Sequence, residues 1–334
     1  MGTLLFIPIN KTLLKINRSV PIISNMNPSY LKTFKSGKLA KIAEEAFQLL
    51  GSCVICPRKC KINRLKDQKG FCKTGLKAKV YSFMAHHGEE PPISGENGSG
   101  TIFFAGCNMA CVYCQNFEFS QEESPAKEME DRDLANIMLE LQNLNCHNIN
   151  LVTPTHVMPQ ILKALLIAIP EGLKIPLVYN SGGYELAEMI ELLDGIVDIY
   201  LPDMRYADND ISLKYSSALD YPKFNQKALK EMQRQVGVAG LIIRHLVLPQ
   251  DLSGTGKIME FIAQELSPET YISLMSQYLP CYKSDKFPEI SRRISMEEYE
   301  QAQEKMHKLG LNNGWIQESH GLDRFAGTNI KPTF

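Results

Sequence analysis

Six times between residues 101 and 308, a short run rich in β-branched and aromatic residues gives way to a longer amphipathic stretch. TIFFAG leads to a helical pattern from about Asp131, NINLVT to one from about Met158, and IPLVYN to one from about Tyr184. GIVDIYL leads to helical sequence reaching about residue 236, GLIIRHLVL to a helix from Ser253, and TYISLMS to one from about Ser295. Repeated strand-then-helix units predict parallel strands joined by right-handed crossovers, with helices covering one face of the sheet. The expected fold class is α/β: a six-unit (β/α)6 partial TIM barrel with a small N-terminal cysteine-rich module. Periodicity alone also admits a doubly wound open sheet. In either case the chemistry belongs at the carboxyl ends of the strands.

The chain has 334 residues, 44% of them hydrophobic, enough for a full core in one large domain or two. Its 37 acidic and 36 basic residues give a formal charge of -1, so neither nucleic acid nor a membrane is expected as a partner. TLLFIPI is far short of a spanning helix and lacks the basic flank of a signal peptide, which leads us to expect a cytoplasmic protein. The first 43 residues hold seven Lys or Arg and no Asp or Glu, a composition that an organellar transit peptide would share. The plainer reading is an extension, with the working protein starting near Met26. From there Leu39, Ile42, Ala43, Ala46, Leu49 and Leu50 fall at helical spacing up to Gly51. The expected division is an extension over 1–25, a helix plus cysteine-rich metal-binding module over 26–95, and the barrel over 96–334.

Nine cysteines, seven of them in two clusters, do not suit a disulfide framework and suggest metal. Cys107, Cys111 and Cys114 lie in GCNMACVYC, directly after the first strand. Their spacing could instead line one buried helix face with small apolar side chains, but three in eight residues is improbable by composition. Three thiolates on a four-iron cluster leave one iron without a protein ligand, an open position for a small chelating molecule. Cys53, Cys56, Cys60 and Cys72 have the spacing C-x2-C-x3-C-x11-C. Four thiolates close a shell, either around tetrahedral zinc or around a cubane with no open iron, and spacing does not separate the two. Cys146 and Cys281 read as buried or incidental thiols, although Cys281 follows the sixth strand.

C-x3-C-x2-C with Tyr113 directly before the third cysteine resembles the signature of the radical S-adenosylmethionine (radical SAM) superfamily. The wider HHGEEPPISGENGSGTIFFAGCNMACVYCQN is similar to its pyruvate formate-lyase activating enzyme-like branch, including a subgroup with a cysteine-rich N-terminal segment. The resemblance covers roughly residues 26 to 315. It implies one 4Fe-4S cluster on Cys107, Cys111 and Cys114, SAM on the open iron, and Tyr113 beside the adenine. It further implies reductive cleavage of SAM to a 5′-deoxyadenosyl radical, an electron donor such as a flavodoxin or ferredoxin, and a glycyl-radical protein or a small molecule as substrate. One departure stands out. Where many members carry Gly-Gly-Glu after the second strand, this chain reads VTPTHVMP, and its glycine pair comes after the third strand in YNSGGYE. Backbone carbonyls or the hydroxyls of Thr153 and Thr155 would then have to meet the SAM amino group.

Other strand ends carry Asn180 and Ser181, Asp203 and Arg205, Arg244 and His245, and Gln277 with Tyr278. Asn180, Ser181 and Asp203 are counted with Thr153 and Thr155 as cofactor-binding candidates. Arg244 and His245 are neighbours on one strand, so only one can face the interior. His156 suits a core or capping role as well as a substrate contact. Glu89 and Glu90, in a Gly- and Pro-containing loop, read as solvated acids. LSGTGK at 252 to 257 lacks the spacing of a phosphate loop and is open to a role around the SAM ribose or carboxylate. A non-enzymatic metal-binding or interaction protein is the competing class, disfavoured because three thiolates have little structural advantage over four.

Overall fold

The structure, a computed structural model, describes residues 26–317 and Thr333. The 1–25 extension lies outside the described residues. Two helices, α1 (Ser29–Lys35) and α2 (Lys38–Gln48), lead to an irregular segment that carries the first cysteine group. Strand β1 (Ala78–His86), a short turn of helix α3 (Pro91–Ser94) and β2 (Ser99–Phe104) follow. After the second cysteine group come α4 (Phe117–Ser120), β3 (Lys127–Met129) and α5 (Asp131–Asn143). The alternation then runs β4 (Ile149–Val152), α6 (Met158–Ala168), β5 (Leu177–Ser181), α7 (Ala187–Glu191) and β6 (Ile199–Pro202). It ends with α8 (Asn209–Ser216), α9 (Tyr221–Val236), β7 (Ile242–Leu246), α10 (Thr255–Phe261), β8 (Tyr271–Met275), α11 (Met296–Lys308) and β9 (Gly314–Ile316).

The expected strands and helices are present close to their expected limits. The third helix is the exception: only Ala187–Glu191 is regular, because SGGY before it follows an irregular path. The sheet is mixed. β2, β4, β5 and β6 pair in parallel, while β1 runs antiparallel to β2 and β3 antiparallel to β1. Parallel bridges at Tyr200–Leu241 and Asp203–Arg244 carry the order on to β7, which pairs in parallel with β8, and β8 with β9. The order from β2 to β8 is sequential, without the reversal that a doubly wound sheet requires.

The parallel strands read as continuous apolar runs because both faces are buried. The core joins Leu134, Met138 and Leu141 of α5, Leu162 and Leu165 of α6, and Leu39, Ile42 and Ala46 of α2 to the sheet residues Ile102, Leu151 and Tyr200. The N-terminal helices therefore share the main core. Ser29 N–H donates to Asp198 at 2.7 Å and the Thr33 hydroxyl to the Gly195 carbonyl at 2.6 Å. A capping box at Ser295 and Glu298 starts α11 where the sequence placed it. No helix among the described residues is long and apolar enough to cross a membrane.

Candidate functional site

A cavity of about 370 Å³ opens at the carboxyl ends of the strands. Tyr113, Cys114 and Gln115 enter it from the loop after β2, Asn180 from β5, Asp203 and Arg205 from beyond β6, and Arg244 and Leu246 from β7. Gln277, Tyr278 and Leu279 line it after β8, and Met84, His86, Glu89, Glu90 and Trp315 complete the lining.

The loop after β2 turns at Gly106, whose φ of +83° and tight packing admit no side chain: a Cβ there would stand 2.3 Å from the Cys72 carbonyl oxygen. Cys107, Cys111 and Cys114 then share one neighbourhood, and all three sulfurs have hydrogen-bonding groups at hand. Met109 N–H donates to Cys107 Sγ at 3.3 Å, the Ser216 hydroxyl to Cys111 Sγ at 3.0 Å, and Cys114 Sγ lies 3.3 Å from the Ser120 hydroxyl. Burial and neighbouring thiols push the Cys107 and Cys111 thiols up, and the Arg205 guanidinium opposes this. Tyr113 and Tyr206 share a short hydroxyl contact, and Tyr206 lies 2.6 Å from the Ser216 hydroxyl, so a buried chain of hydroxyls runs from Tyr113 to Cys111.

Asp203 organises the opposite wall. Arg244 Nε donates to it at 2.8 Å, Arg244 Nη2 to Asn180 Oδ1 at 2.6 Å, and Arg205 makes a short ion pair with its second oxygen. His245, on the other face of β7, bonds the Met204 carbonyl at 2.7 Å and the Thr255 hydroxyl at 3.0 Å, away from the cavity. Of the cofactor-binding candidates, Tyr113, Asn180 and Asp203 line the cavity, as do Arg205, Arg244, Gln277 and Tyr278. Thr153, Thr155 and Ser181 are not among its walls. The Thr155 hydroxyl donates to Glu185 at 2.5 Å, the Ser181 hydroxyl accepts from Gly183 N–H at 3.2 Å, and Thr153 N–H is held by the Asn180 carbonyl at 2.8 Å. Burial raises Glu185 to about 7. The glycine pair beside it serves packing, since a Cβ on Gly183 would stand 2.1 Å from the Asp203 carbonyl oxygen.

Two readings of the loops change. Glu89 and Glu90 are not solvated: both line the cavity, and Glu90 is only 4% exposed. LSGTGK does not reach the cavity, because its Thr255 begins α10 and bonds Asp251 through its backbone N–H at 2.9 Å. His156 takes the core role, 2.8 Å from the Ala105 carbonyl through Nε2, with burial lowering it to about 4.

Cys53, Cys56, Cys60 and Cys72 surround a second, much smaller void of about 10 Å³, room for one water, with Arg58, Arg64, Asn108 and His156 in its walls. Burial pushes the Cys56 thiol up to about 12, with smaller contributions from the other three sulfurs. This group is fastened to the first: Arg58 Nε donates to the Asn108 carbonyl at 2.9 Å and Arg64 Nη1 to the His156 carbonyl at 2.8 Å. Among the described residues no three His, Cys, Asp or Glu side chains are set for a single metal ion. Cys146 is a buried core thiol, while Cys281 Sγ donates to the Tyr113 carbonyl at 3.4 Å, beside the cysteine loop.

The three-cysteine donor set fits a four-iron cluster with one open iron, and comparison with known proteins agrees. The family profile of the Radical SAM superfamily matches residues 101–262, from β2 to the end of α10. The uncharacterized protein MJ0674 of Methanocaldococcus jannaschii is 33% identical over 316 residues, spanning 91% of this chain and 87% of that one. MJ0808 of the same organism is 25% identical over 272 residues, 74% of this chain and 78% of that one. The crystal structure of methylornithine synthase (PylB) is 12% identical with a TM-score of 0.48, covering 93% of this chain and 85% of that one. On the cysteine signature, the profile match and the long relative together, the chain belongs to the radical SAM superfamily, whose members hold a 4Fe-4S cluster and SAM.

Proposed function

We propose that the protein uses a 5′-deoxyadenosyl radical to abstract hydrogen from a small molecule, as an activating-enzyme-like member built on a (β/α)6 partial barrel. One observation carries the choice of a small molecule: the cavity of about 370 Å³ has the size of a small-molecule pocket. Lys283 N–H, bonded at 2.8 Å to the Val112 carbonyl, ties the segment after β8 to the cysteine loop.

When bound, the cluster and SAM supply the electron and the sulfonium whose cleavage yields the radical. Cys107, Cys111 and Cys114 would hold the cluster, deprotonated on coordination despite the burial that keeps them neutral without it. The N–H and O–H groups on their sulfurs stabilise added negative charge and so set the reduction potential. Tyr113 and Asn180 would face the cofactor, and Arg205 and Arg244, fixed by Asp203, offer guanidinium N–H groups toward it. An external donor such as a flavodoxin or ferredoxin would supply the electron.

The four N-terminal thiols would hold a second metal, either a tetrahedral zinc or an iron–sulfur cluster with no open iron. Activation of a glycyl-radical protein is the second reading, favoured by HHGEEPPISG leading into the cysteine loop. Anaerobic reconstitution followed by dithionite reduction with SAM tests the reading. Deoxyadenosine should form, and its absence with the first cluster intact would contradict the proposal.

A further inference from the structure

Glu90 carries a carboxylate that the described protein leaves half answered. It follows β1, and Pro91 and Pro92 after it begin α3, a turn anchored by Asn148 Nδ2 on the Ile93 carbonyl at 2.8 Å. The side chain lies in the cavity wall. Its Oε1 accepts from the Ser273 hydroxyl of β8 at 3.1 Å, and its Oε2 has no hydrogen-bond partner.

Arg244 is the positive charge that acts on Glu90, but its hydrogen bonds go to other groups. Arg244 spends Nε on Asp203 and Nη2 on Asn180, Arg205 pairs with Asp203, and His86 lies 3.3 Å from Glu89. Glu90 makes no ion pair within the described residues. A buried carboxylate oxygen needs a hydrogen-bond donor when ionised and an acceptor for its O–H when protonated. Oε2 has neither among the described residues. Buried groups of this kind are expected to be satisfied in the working state, and the open side here is the cavity. Met84, Phe103, Met275 and Trp315 give that end of the cavity apolar and aromatic walls.

We infer that Glu90 receives the ammonium group of an aliphatic amine substrate, its carbon chain lying along these apolar walls toward the Cys114 end of the cavity. This rests on the reading of the cavity as a substrate site. The test uses the reconstituted holoprotein with SAM present, titrated with n-pentylamine and, as its neutral counterpart, 1-pentanol, and followed by calorimetry. Wild type should bind the amine at least about tenfold more tightly than the alcohol, and Glu90→Gln should remove that preference. Equal binding of amine and alcohol by wild type would overturn the inference, as would a preference that survives in Glu90→Gln. The wild-type comparison decides the matter even if Glu90→Gln fails to fold. Deoxyadenosine formation by wild type without amine separates the two claims. If deoxyadenosine is absent but the preference depends on Glu90, the proposed function fails and this inference stands; if deoxyadenosine forms and there is no preference, the reverse holds.

Discussion

The two cysteine groups are neighbours, yet Cys114 of one lines a cavity of about 370 Å³ while the other surrounds a void of about 10 Å³. The first is a loop at the strand ends. The second is an irregular segment whose void is also walled by two arginines and His156. An open coordination position has a use where there is room for a second ligand, and none where there is not. The difference in surroundings, more than the count of thiols, therefore separates a reactive centre from a supporting one.

Cys111→Ala should break the comparison on its open side. Deoxyadenosine formation should fall below about 1% of wild type while the melting temperature changes little, because the cluster loses one of three ligands and the buried thiol is replaced by a side chain only one atom smaller. Cys56→Ala should act the other way. It should lose metal from the second site and on the order of 3 kcal/mol of stability in a denaturant titration, with deoxyadenosine formation reduced less than about tenfold. Gly106→Ala probes the seam between the groups. A methyl group driven against the Cys72 carbonyl, at a positive φ, should cost about 2–4 kcal/mol and reduce iron retention at both sites.

The smallest effect is one of pH. Glu185, raised to about 7, keeps its proton when folded in a range where the unfolded chain has released it. Its contribution is fully present below about pH 4.5 and is lost as pH rises toward 7, on the order of 3 kcal/mol. His156, lowered to about 4, works in the opposite sense, and its contribution is lost as pH falls from about 6.5 toward 4. The two offset each other in the wild type. Glu185→Gln keeps an acceptor for the Thr155 hydroxyl and removes one side of the balance. Its stability should fall more steeply than that of the wild type on acidification from pH 6.5 to 4, measured by urea midpoints. Parallel curves would show that Glu185 does not hold its proton in the fold.

Much of this was legible because the signals are local. The six strand-then-helix units announce themselves by period, and the three cysteines by spacing, so strand limits and the loop that carries the thiols could be read from neighbouring residues. Strand β1 escaped because only a short turn of helix, Pro91–Ser94, follows it before its antiparallel partner β2, so no strand-then-helix unit is visible. Glu90 escaped for a related reason: beside two prolines it has the sequence of a surface turn, and its burial is decided by Ser273, 183 residues away. The partner of the Thr155 hydroxyl, Glu185, was not legible either, because it comes from the next strand-to-helix connection. Side chains whose roles are set by distant packing leave no periodic trace.

The central claim is that SAM meets the cluster of the cavity-facing group alone. Electron paramagnetic resonance of the dithionite-reduced protein, recorded with and without SAM, tests it on a variant with Cys53, Cys56, Cys60 and Cys72 all changed to Ser. The account predicts about four irons per chain and a cluster signal that shifts when SAM is added. A signal indifferent to SAM in that variant, or one still responsive to SAM in a protein lacking Cys107, Cys111 and Cys114, would contradict it.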